Sequence, residues 1–313
     1  MRTFSVWRTL RPARVFDLPA LRTVGGVRAF VRRLAERGRL IMTPDEIMAV
    51  FSDDDSGLRE EVVRDVGQSA VALLGVTGPV RGERLAFCGS GILVRDSSSH
   101  YLLTAAHVWE DRLSHAEDIG VTVQEGIDHC FRVHRDSLAA LGPVRPGTEP
   151  ERGPDLVFLR LPEERVGGIE AFRSFYNLDR ERPGIKVAGA GTRLLIGAPK
   201  ELGEFTETHA TVCISGLFTE VRSAPYVIGD YDYIDLDVDL SMAGVPQNFG
   251  GVSGSGLWSV DLFESPEPGR IGWSFRLEGV AFYQFGVVDG HRTIRCHGPR
   301  SIRNAMTYLA ADR

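Results

Sequence analysis

The sequence predicts an all-β protein with helical segments at both ends of the chain. From Ser69 onward, short apolar or alternating runs are broken by Gly, Pro, Asp and Ser, which is typical of many short strands. So many short strands in one region predict β-barrels. We place these strands at residues 70–74, 85–94, 101–104, 120–124, 156–161, 186–190, 210–215, 234–239, 256–260, 277–283 and 293–296.

Helices are predicted on both sides of the strand region, where apolar residues recur at helical spacing. The segment TPDE indicates a helix start, with Thr43 as the N-cap, Pro44 at the first helical position and Glu46 completing a capping box. That helix runs through Phe51. Further helices are predicted at residues 18–35, 58–66 and 299–311.

Charge divides the chain into a basic beginning and an acidic remainder. The 313 residues carry a formal net charge of −6, so no nucleic-acid partner is expected, and no apolar run is long enough to span a membrane. Residues 1–68 are predicted to form a basic helical extension, interpreted as a surface for a regulatory protein, a gate over the cleft or a brace. Arginines interrupt its apolar runs, which excludes a signal peptide and favours a cytoplasmic protein, with an organellar transit peptide as the weaker alternative.

The cysteines are too scattered to indicate a disulfide framework or a metal site. Cys88, Cys130, Cys213 and Cys296 are far apart in sequence and contain no CxxC pair, so reduced thiols are expected. The segment HCFRVH, residues 129–134, raises a metal site but alternates like a strand, and the strand is favoured. SDDDSG at residues 52–57 does not fit an EF-hand loop and is interpreted as a loop and helix cap. No metal and no cofactor are expected.

Three short segments carry residue types used in nucleophilic catalysis. They are TAAHV at residues 104–108, GPDLVFLRL at 153–161 and GGVSGSG at 250–256. Each is commonplace alone, since a histidine can end a buried strand and a Gly-Ser string can be a linker. In this order and at this spacing they resemble the chymotrypsin-like serine peptidase family, and the resemblance covers about residues 69–313.

The resemblance implies a double six-stranded β-barrel with an N-terminal helical extension and a C-terminal helix. The first barrel would span about residues 69–180 and the second about 181–313. Ser253 would be the nucleophile, His107 its general base and Asp155 the residue that orients the histidine. The backbone amides of Gly251 and Ser253 would form the oxyanion hole. The chain order His, Asp, Ser is that of this family, not of subtilisin or the α/β-hydrolases.

Two competing assignments of the nucleophile stay open at this point. Ser255 lies two residues after Ser253 in the same loop. The string GVSGS also approaches the GxSxG nucleophile elbow of α/β-hydrolases, for which His291 or His297 would supply the late histidine. That motif requires a helix after the serine, and the glycine-rich continuation makes a helix unfavourable.

The chain also departs from the secreted members of the family. Val108 occupies the position of a cysteine that would pair with Cys88, and Val252 replaces the acidic residue that pairs with a freed N-terminus in activated zymogens. The sequence is in these respects more similar to bacterial trypsin-like and HtrA-like peptidases, which favours a reducing compartment. The resemblance places the substrate pocket at Gln247, Phe282, Tyr283 and Gln284, and we expect a neutral side chain at the cleavage point.

The function expected from the sequence is that of an intracellular serine endopeptidase. It would hydrolyse peptide bonds through an acyl-enzyme and act on a specific protein target. Two alternatives use the same fold: a pseudopeptidase that binds peptides without cleaving them, and an esterase that acts on small acyl substrates.

Overall fold

A computed structural model of the chain describes residues 43–51, 57–78, 82–123, 130–142, 151, 153–181, 192–264 and 271–311. Several sequence predictions concern other parts of the chain. The basic arm with its helix at residues 18–35, the acidic residues 52–56, His129 and the strand at residues 186–190 lie outside the described residues.

The described residues are organised in β-sheets, as predicted, and nearly all of the strand pairs are antiparallel. The strands are β1 (Ala70–Thr77), β2 (Arg84–Arg95), β3 (His100–Thr104), β4 (Asp118–Thr122), β5 (Cys130–His134), β6 (Ala139–Leu141), β7 (Val157–Arg160), β8 (Tyr176–Asn177), β9 (Thr192–Gly197), β10 (Glu204–Phe205), β11 (Ala210–Thr211), β12 (Ser215–Val221), β13 (Tyr226–Ile228), β14 (Tyr231–Asp239), β15 (Gly256–Glu264), β16 (Ile271–Val288) and β17 (His291–His297).

Two large sheets contain most of these strands. The first has the order β5-β4-β1-β2-β3-β7-β6, with β8 paired to β2. The second has the order β12-β9-β15-β16-β17-β14-β13, and a further pairing of β12 with β14 closes six of its strands into a barrel. Among the described residues, no strand pairing closes the first sheet. Its end strands are β5 and β6, and residues 124–129, before β5, and 143–150, after β6, lie outside the described residues.

Five α-helices are described, three of them predicted. Helices α1 (Pro44–Phe51), α2 (Leu58–Val66) and α5 (Pro299–Ala311) match the sequence, whereas α3 (Ala106–Asp111) and α4 (Glu163–Glu170) are too short or too weakly periodic to be recognised there. The capping box of α1 is present: the Glu46 amide donates to Thr43 Oγ1 at 3.3 Å, and the Thr43 amide donates to Glu46 Oε2 at 2.8 Å. These elements confirm the all-β fold class with helices on both sides of the strand region, and they are consistent with a chymotrypsin-like fold.

The two N-terminal helices pack into the same core as the sheets. Ile47, Val50 and Phe51 of α1 and Val62 of α2 are at most 3% exposed and belong to one apolar cluster with residues of both sheets. The Phe51 ring lies 4.7 Å from the ring of Phe218 in β12, measured between centroids. The helices therefore contribute to the stability of the sheets. A domain boundary near residue 69 stays a proposal.

Within the described part of the chain, no helix is long and apolar enough to cross a lipid bilayer. All four cysteines are described, and each carries a free thiol.

Replacing Phe51 with alanine should lower the free energy of unfolding by about 3–5 kcal/mol, because it leaves a cavity in the shared core. Urea denaturation followed by circular dichroism measures this change. Glu60→Ala, on the exposed face of α2, is the control and should change the value by less than about 0.5 kcal/mol. Equal small effects would show that the N-terminal helices do not support the fold.

Candidate active site

The pairing of β3 with β7 brings His107 and Asp155 together. Thr104, the last residue of β3, lies opposite Val157, the first residue of β7. His107 follows in the first turn of α3, and Asp155 comes two residues before β7. Residues separated by 48 positions in sequence therefore meet at one end of the first sheet.

Both oxygens of the Asp155 carboxylate contact His107. Oδ2 lies 2.7 Å from Nδ1 of the imidazole, and Oδ1 accepts the backbone N–H of His107 at 2.8 Å. The Asp155 side chain is 2% exposed and the His107 side chain 23% exposed. A carboxylate on Nδ1 favours the tautomer with its proton there, which leaves Nε2 as a base directed away from Asp155.

The loop before β15 consists of two consecutive tight turns. The Val252 amide donates to the Phe249 carbonyl at 3.0 Å, and the Ser255 amide donates to the Val252 carbonyl at 2.8 Å. The third residue of each turn is a glycine with positive φ, +93° at Gly251 and +90° at Gly254. This pattern is that of type II turns. Ser253, which is partly exposed, occupies the second position of the second turn.

The first turn leaves backbone amides available beside Ser253. The Gly250 carbonyl accepts the Lys200 amide at 2.7 Å, so the Gly251 N–H, trans to that carbonyl, points to the opposite side of the peptide. Among the described residues, the amides of Gly251 and Ser253 donate to no carbonyl or side chain. Two free amides near one serine are what an oxyanion hole requires.

Ser90 of β2 holds this loop against the first sheet. Its amide donates to the Ser253 carbonyl at 2.9 Å, and its hydroxyl donates to the Gly251 carbonyl at 2.8 Å. The same hydroxyl accepts the Ala198 amide at 2.9 Å, and the Ser90 carbonyl accepts the Thr104 hydroxyl at 2.7 Å. Sequence reasoning missed Ser90, because one serine in a strand gives no sign of the loop that it will contact.

The structure favours Ser253 over Ser255 as the nucleophile. Ser255 is fully buried, and a Cβ atom added to Gly197 would lie 1.6 Å from its hydroxyl oxygen, so this side chain faces the β9 backbone. The α/β-hydrolase alternative is wrong, because strand β15 follows at Gly256 where the elbow requires a helix. His291 contacts Asp237, and His297 is completely buried.

Among the predicted pocket residues, Gln247 and Gln284 lie at the loop of residues 249–255 that carries Ser253, the candidate nucleophile loop. Gln284 Oε1 accepts the Phe249 amide at 3.1 Å, and its Nε2 donates to Asn248 Oδ1 at 3.2 Å. The Gln247 side chain is exposed and donates to the Leu240 carbonyl at 2.9 Å.

The two aromatic residues predicted for the pocket differ in exposure. The Tyr283 ring is partly exposed, whereas Phe282 is 2% exposed and stacks on the ring of His297. Phe282 is therefore a packing residue and does not present its ring to the surface.

Two charged residues near this loop were not predicted. The Glu201 carboxylate accepts the Gln247 amide at 3.1 Å and the Asn248 amide at 2.7 Å. Arg292 donates to Gln284 Oε1 at 3.2 Å and to the Phe285 carbonyl at 3.0 Å. The Glu201 contact joins segments 46 positions apart, and the Arg292 contacts depend on the register of β16 with β17, so neither leaves a local pattern in the sequence.

His297, at the end of β17, has a strongly perturbed pKa. Burial lowers the pKa of this imidazole from 6.5 to about 4, against the opposing effect of Asp155 and Asp232. Its Nε2 accepts the Asp155 amide at 2.9 Å, which requires the neutral ring.

Comparison with known proteins finds distant structural matches. No family model matches the chain, and no match is found among curated proteins. One similar solved structure is described as "Aromatic interactions drive the coupled folding and binding of the intrinsically disordered Sesbania mosaic virus VPg protein"; identity is 12%, coverage 77% of this chain and 90% of that chain, and the TM-score 0.41. Another is a protease of tobacco vein mottling virus, with 12% identity, coverage of 74% and 77%, and a TM-score of 0.35. Because both TM-scores are low, the function of this chain is inferred from the geometry of its own residues.

Replacing Gly251 with alanine should disrupt the candidate oxyanion hole, whereas the same change at Gly250 should not. A Cβ atom at Gly251 would lie 2.3 Å from the Phe87 ring and 2.9 Å from the Ala198 carbonyl, at a φ that only glycine adopts readily. At Gly250 the nearest atom would be 3.4 Å away. We expect at least tenfold slower reaction of Gly251→Ala with a serine-directed phosphonate, and a near wild-type rate for Gly250→Ala.

The stability of the protein should depend on pH through His297. Between pH 6.5 and about 4, unfolded His297 binds a proton that the buried side chain does not, so acidification destabilises the fold in this window. Relative to His297→Gln, the wild type should lose roughly 3 kcal/mol of unfolding free energy between pH 7 and pH 4. Urea titrations at both pH values test this, and parallel pH profiles would contradict it.

Proposed function

We propose that the chain is a serine peptidase that cleaves peptide bonds through an acyl-enzyme intermediate. The observation that carries the proposal is the contact of both Asp155 oxygens with His107, together with the turn that leaves the Gly251 and Ser253 amides free. The first arrangement supplies an oriented base, and the second supplies donors for a developing oxyanion.

In the proposed first step, Ser253 Oγ attacks the carbonyl carbon of the scissile bond. His107 Nε2 takes the hydroxyl proton, and the Asp155 carboxylate stabilises the imidazolium that forms. The amides of Gly251 and Ser253 would donate to the oxyanion of the tetrahedral intermediate. His107 then protonates the leaving amine, and water, activated by the same base, hydrolyses the ester on Ser253.

The structure describes no hydrogen bond between His107 Nε2 and Ser253 Oγ. This does not weigh against the mechanism, because a free serine hydroxyl rotates and catalytic hydrogen bonds often tighten only when substrate is bound. The burial of Ser255 leaves Ser253 as the hydroxyl of this loop that a substrate can reach.

A strand edge next to Ser253 supports an extended peptide as the substrate. The pairing of β16 with β15 ends at Val280, whereas its pairing with β17 continues to Val288. Ala281 still bonds the nucleophile loop through the amide of Gly254 and the carbonyl of Ser255. Beyond Ala281, one edge of β16 has no strand partner among the described residues, and a peptide could add to it by backbone hydrogen bonds. A small ester would not use this edge.

Residues 1–68 stay a proposed regulatory surface, much of it outside the described residues. The protein target is proposed only as a class, an extended segment of polypeptide.

Treatment with a fluorophosphonate probe tests the proposal directly. The wild type and Ser255→Ala should be labelled, Ser253→Ala should not, and Asp155→Asn should react roughly 10³ to 10⁴ times more slowly. In-gel fluorescence measures the labelling rate of each variant, and peptide mapping identifies the labelled residue.

A peptide library analysed by mass spectrometry separates the remaining functions. Cleavage by the wild type and not by Ser253→Ala supports a peptidase, whereas labelling without peptide cleavage would favour an esterase. Labelling that persists in Ser253→Ala would overturn the assignment, and binding of peptides without labelling would indicate a pseudopeptidase.

A further inference from the structure

His297 links the second barrel to the candidate acid of the first sheet. It is the last residue of β17 and is 0% exposed. Its Nε2 accepts the backbone N–H of Asp155 at 2.9 Å, although the two residues are 142 positions apart. The contact therefore holds the backbone of Asp155, whereas His107 contacts its carboxylate.

The imidazole ring is held in one orientation by its neighbours. Phe282 stacks on it with centroids 4.2 Å apart and an interplanar angle of 14°, and the Tyr233 ring lies 5.3 Å away. Gly153 passes so close that a Cβ atom there would lie 2.7 Å from Cε1 of His297. The ring cannot turn away from Asp155 without displacing these groups.

The hydrogen bonding of His297 indicates that its role depends on Nε2, the ring nitrogen that accepts the Asp155 amide. Because Nε2 accepts the Asp155 amide, the proton of the neutral ring lies on Nδ1, which is buried and has no hydrogen-bond partner among the described residues. An unsatisfied buried donor destabilises the fold, and a leucine or phenylalanine at this position would not introduce one. A purely space-filling role does not explain a histidine here.

We propose that His297 is a positioning residue that holds the Asp155 backbone so that both carboxylate oxygens reach His107. The catalytic significance of this role rests on the proposed function, whereas the effect of His297 on the orientation of Asp155 does not. The charged and titratable groups that face or influence His297 are Asp155, Asp232, Arg295, Tyr231 and Tyr233. The low pKa of His297, about 4, keeps the ring neutral and able to accept at neutral pH.

Two substitutions separate the acceptor from the volume of the ring. His297→Phe keeps an aromatic ring against Phe282 but cannot accept the Asp155 amide, whereas His297→Gln offers Oε1 in place of Nε2. Cys296→Ala is the control, since this buried neighbour on β17 packs in an apolar cluster of the second barrel.

The first measurement is the proton NMR signal of His107 Nδ1–H, assigned with His107→Gln, which reports the bond to Asp155 whether or not the protein is an enzyme. We expect this signal in the wild type, His297→Gln and Cys296→Ala, and its loss or marked upfield shift in His297→Phe.

The second measurement is the phosphonylation rate as a function of pH. His297→Phe should react at least tenfold more slowly across the pH range, because a displaced carboxylate no longer stabilises the imidazolium that forms during attack. His297→Gln should recover most of the rate.

An unchanged His107 signal and phosphonylation rate in folded His297→Phe would overturn the proposal. Loss of the signal in both His297 variants would also overturn it, since restoring an acceptor would then have no effect. If His297→Phe does not fold, His297→Leu replaces it as the variant without an acceptor, and retention of the signal in His297→Gln against its loss in His297→Leu decides. If the wild type shows the NMR signal but no phosphonylation, the proposed function fails while the positioning role stands.

Discussion

Ser90 joins the two sheets at the candidate site. The first sheet positions His107 and Asp155, and the second carries the loop with Ser253. Its amide and hydroxyl bind the carbonyls of Ser253 and Gly251, and its own carbonyl accepts the hydroxyl of Thr104. Thr104 ends the strand that leads to His107. Because Ser90 is fully buried, these bonds are shielded from water, and breaking one would leave polar groups unsatisfied. Ser90 therefore helps to set the spacing between His107 and the loop that carries Ser253, together with the bond between His297 and the Asp155 amide.

Around that contact, each half of the site is rigid for a different reason. The first sheet fixes His107 and Asp155 through the register of β3 with β7. The nucleophile loop is fixed by two glycine-dependent turns and by Val252, which is packed into the apolar interior of the second barrel. An acidic residue at position 252 would be costly in that apolar cluster. Packing thus stabilises the loop without an ion pair from a freed N-terminus.

The parts of the site that could be predicted from sequence are those that lie within short segments. The His107, Asp155 and Ser253 positions follow from local motifs, and the glycines follow from the turns that such a loop needs. The contacts of Ser90, Glu201 and His297 join segments that are distant in sequence, and those of Arg292 depend on the register of β16 with β17, which no local pattern encodes. Similarly, β9 and β12 were not predicted, although the strongly alternating or apolar strands β2, β14 and β15 were.

The central claim is that Ser253 forms a covalent acyl intermediate with His107 as its base. The most direct measurement is peptide mapping by mass spectrometry of protein quenched with acid during turnover of an activated ester. The account predicts an acyl group on the peptide that contains Ser253, assigned to that residue by fragmentation, which disappears as the substrate is exhausted. Acylation of another residue, or ester hydrolysis at the same rate in Ser253→Ala without any adduct, would contradict it.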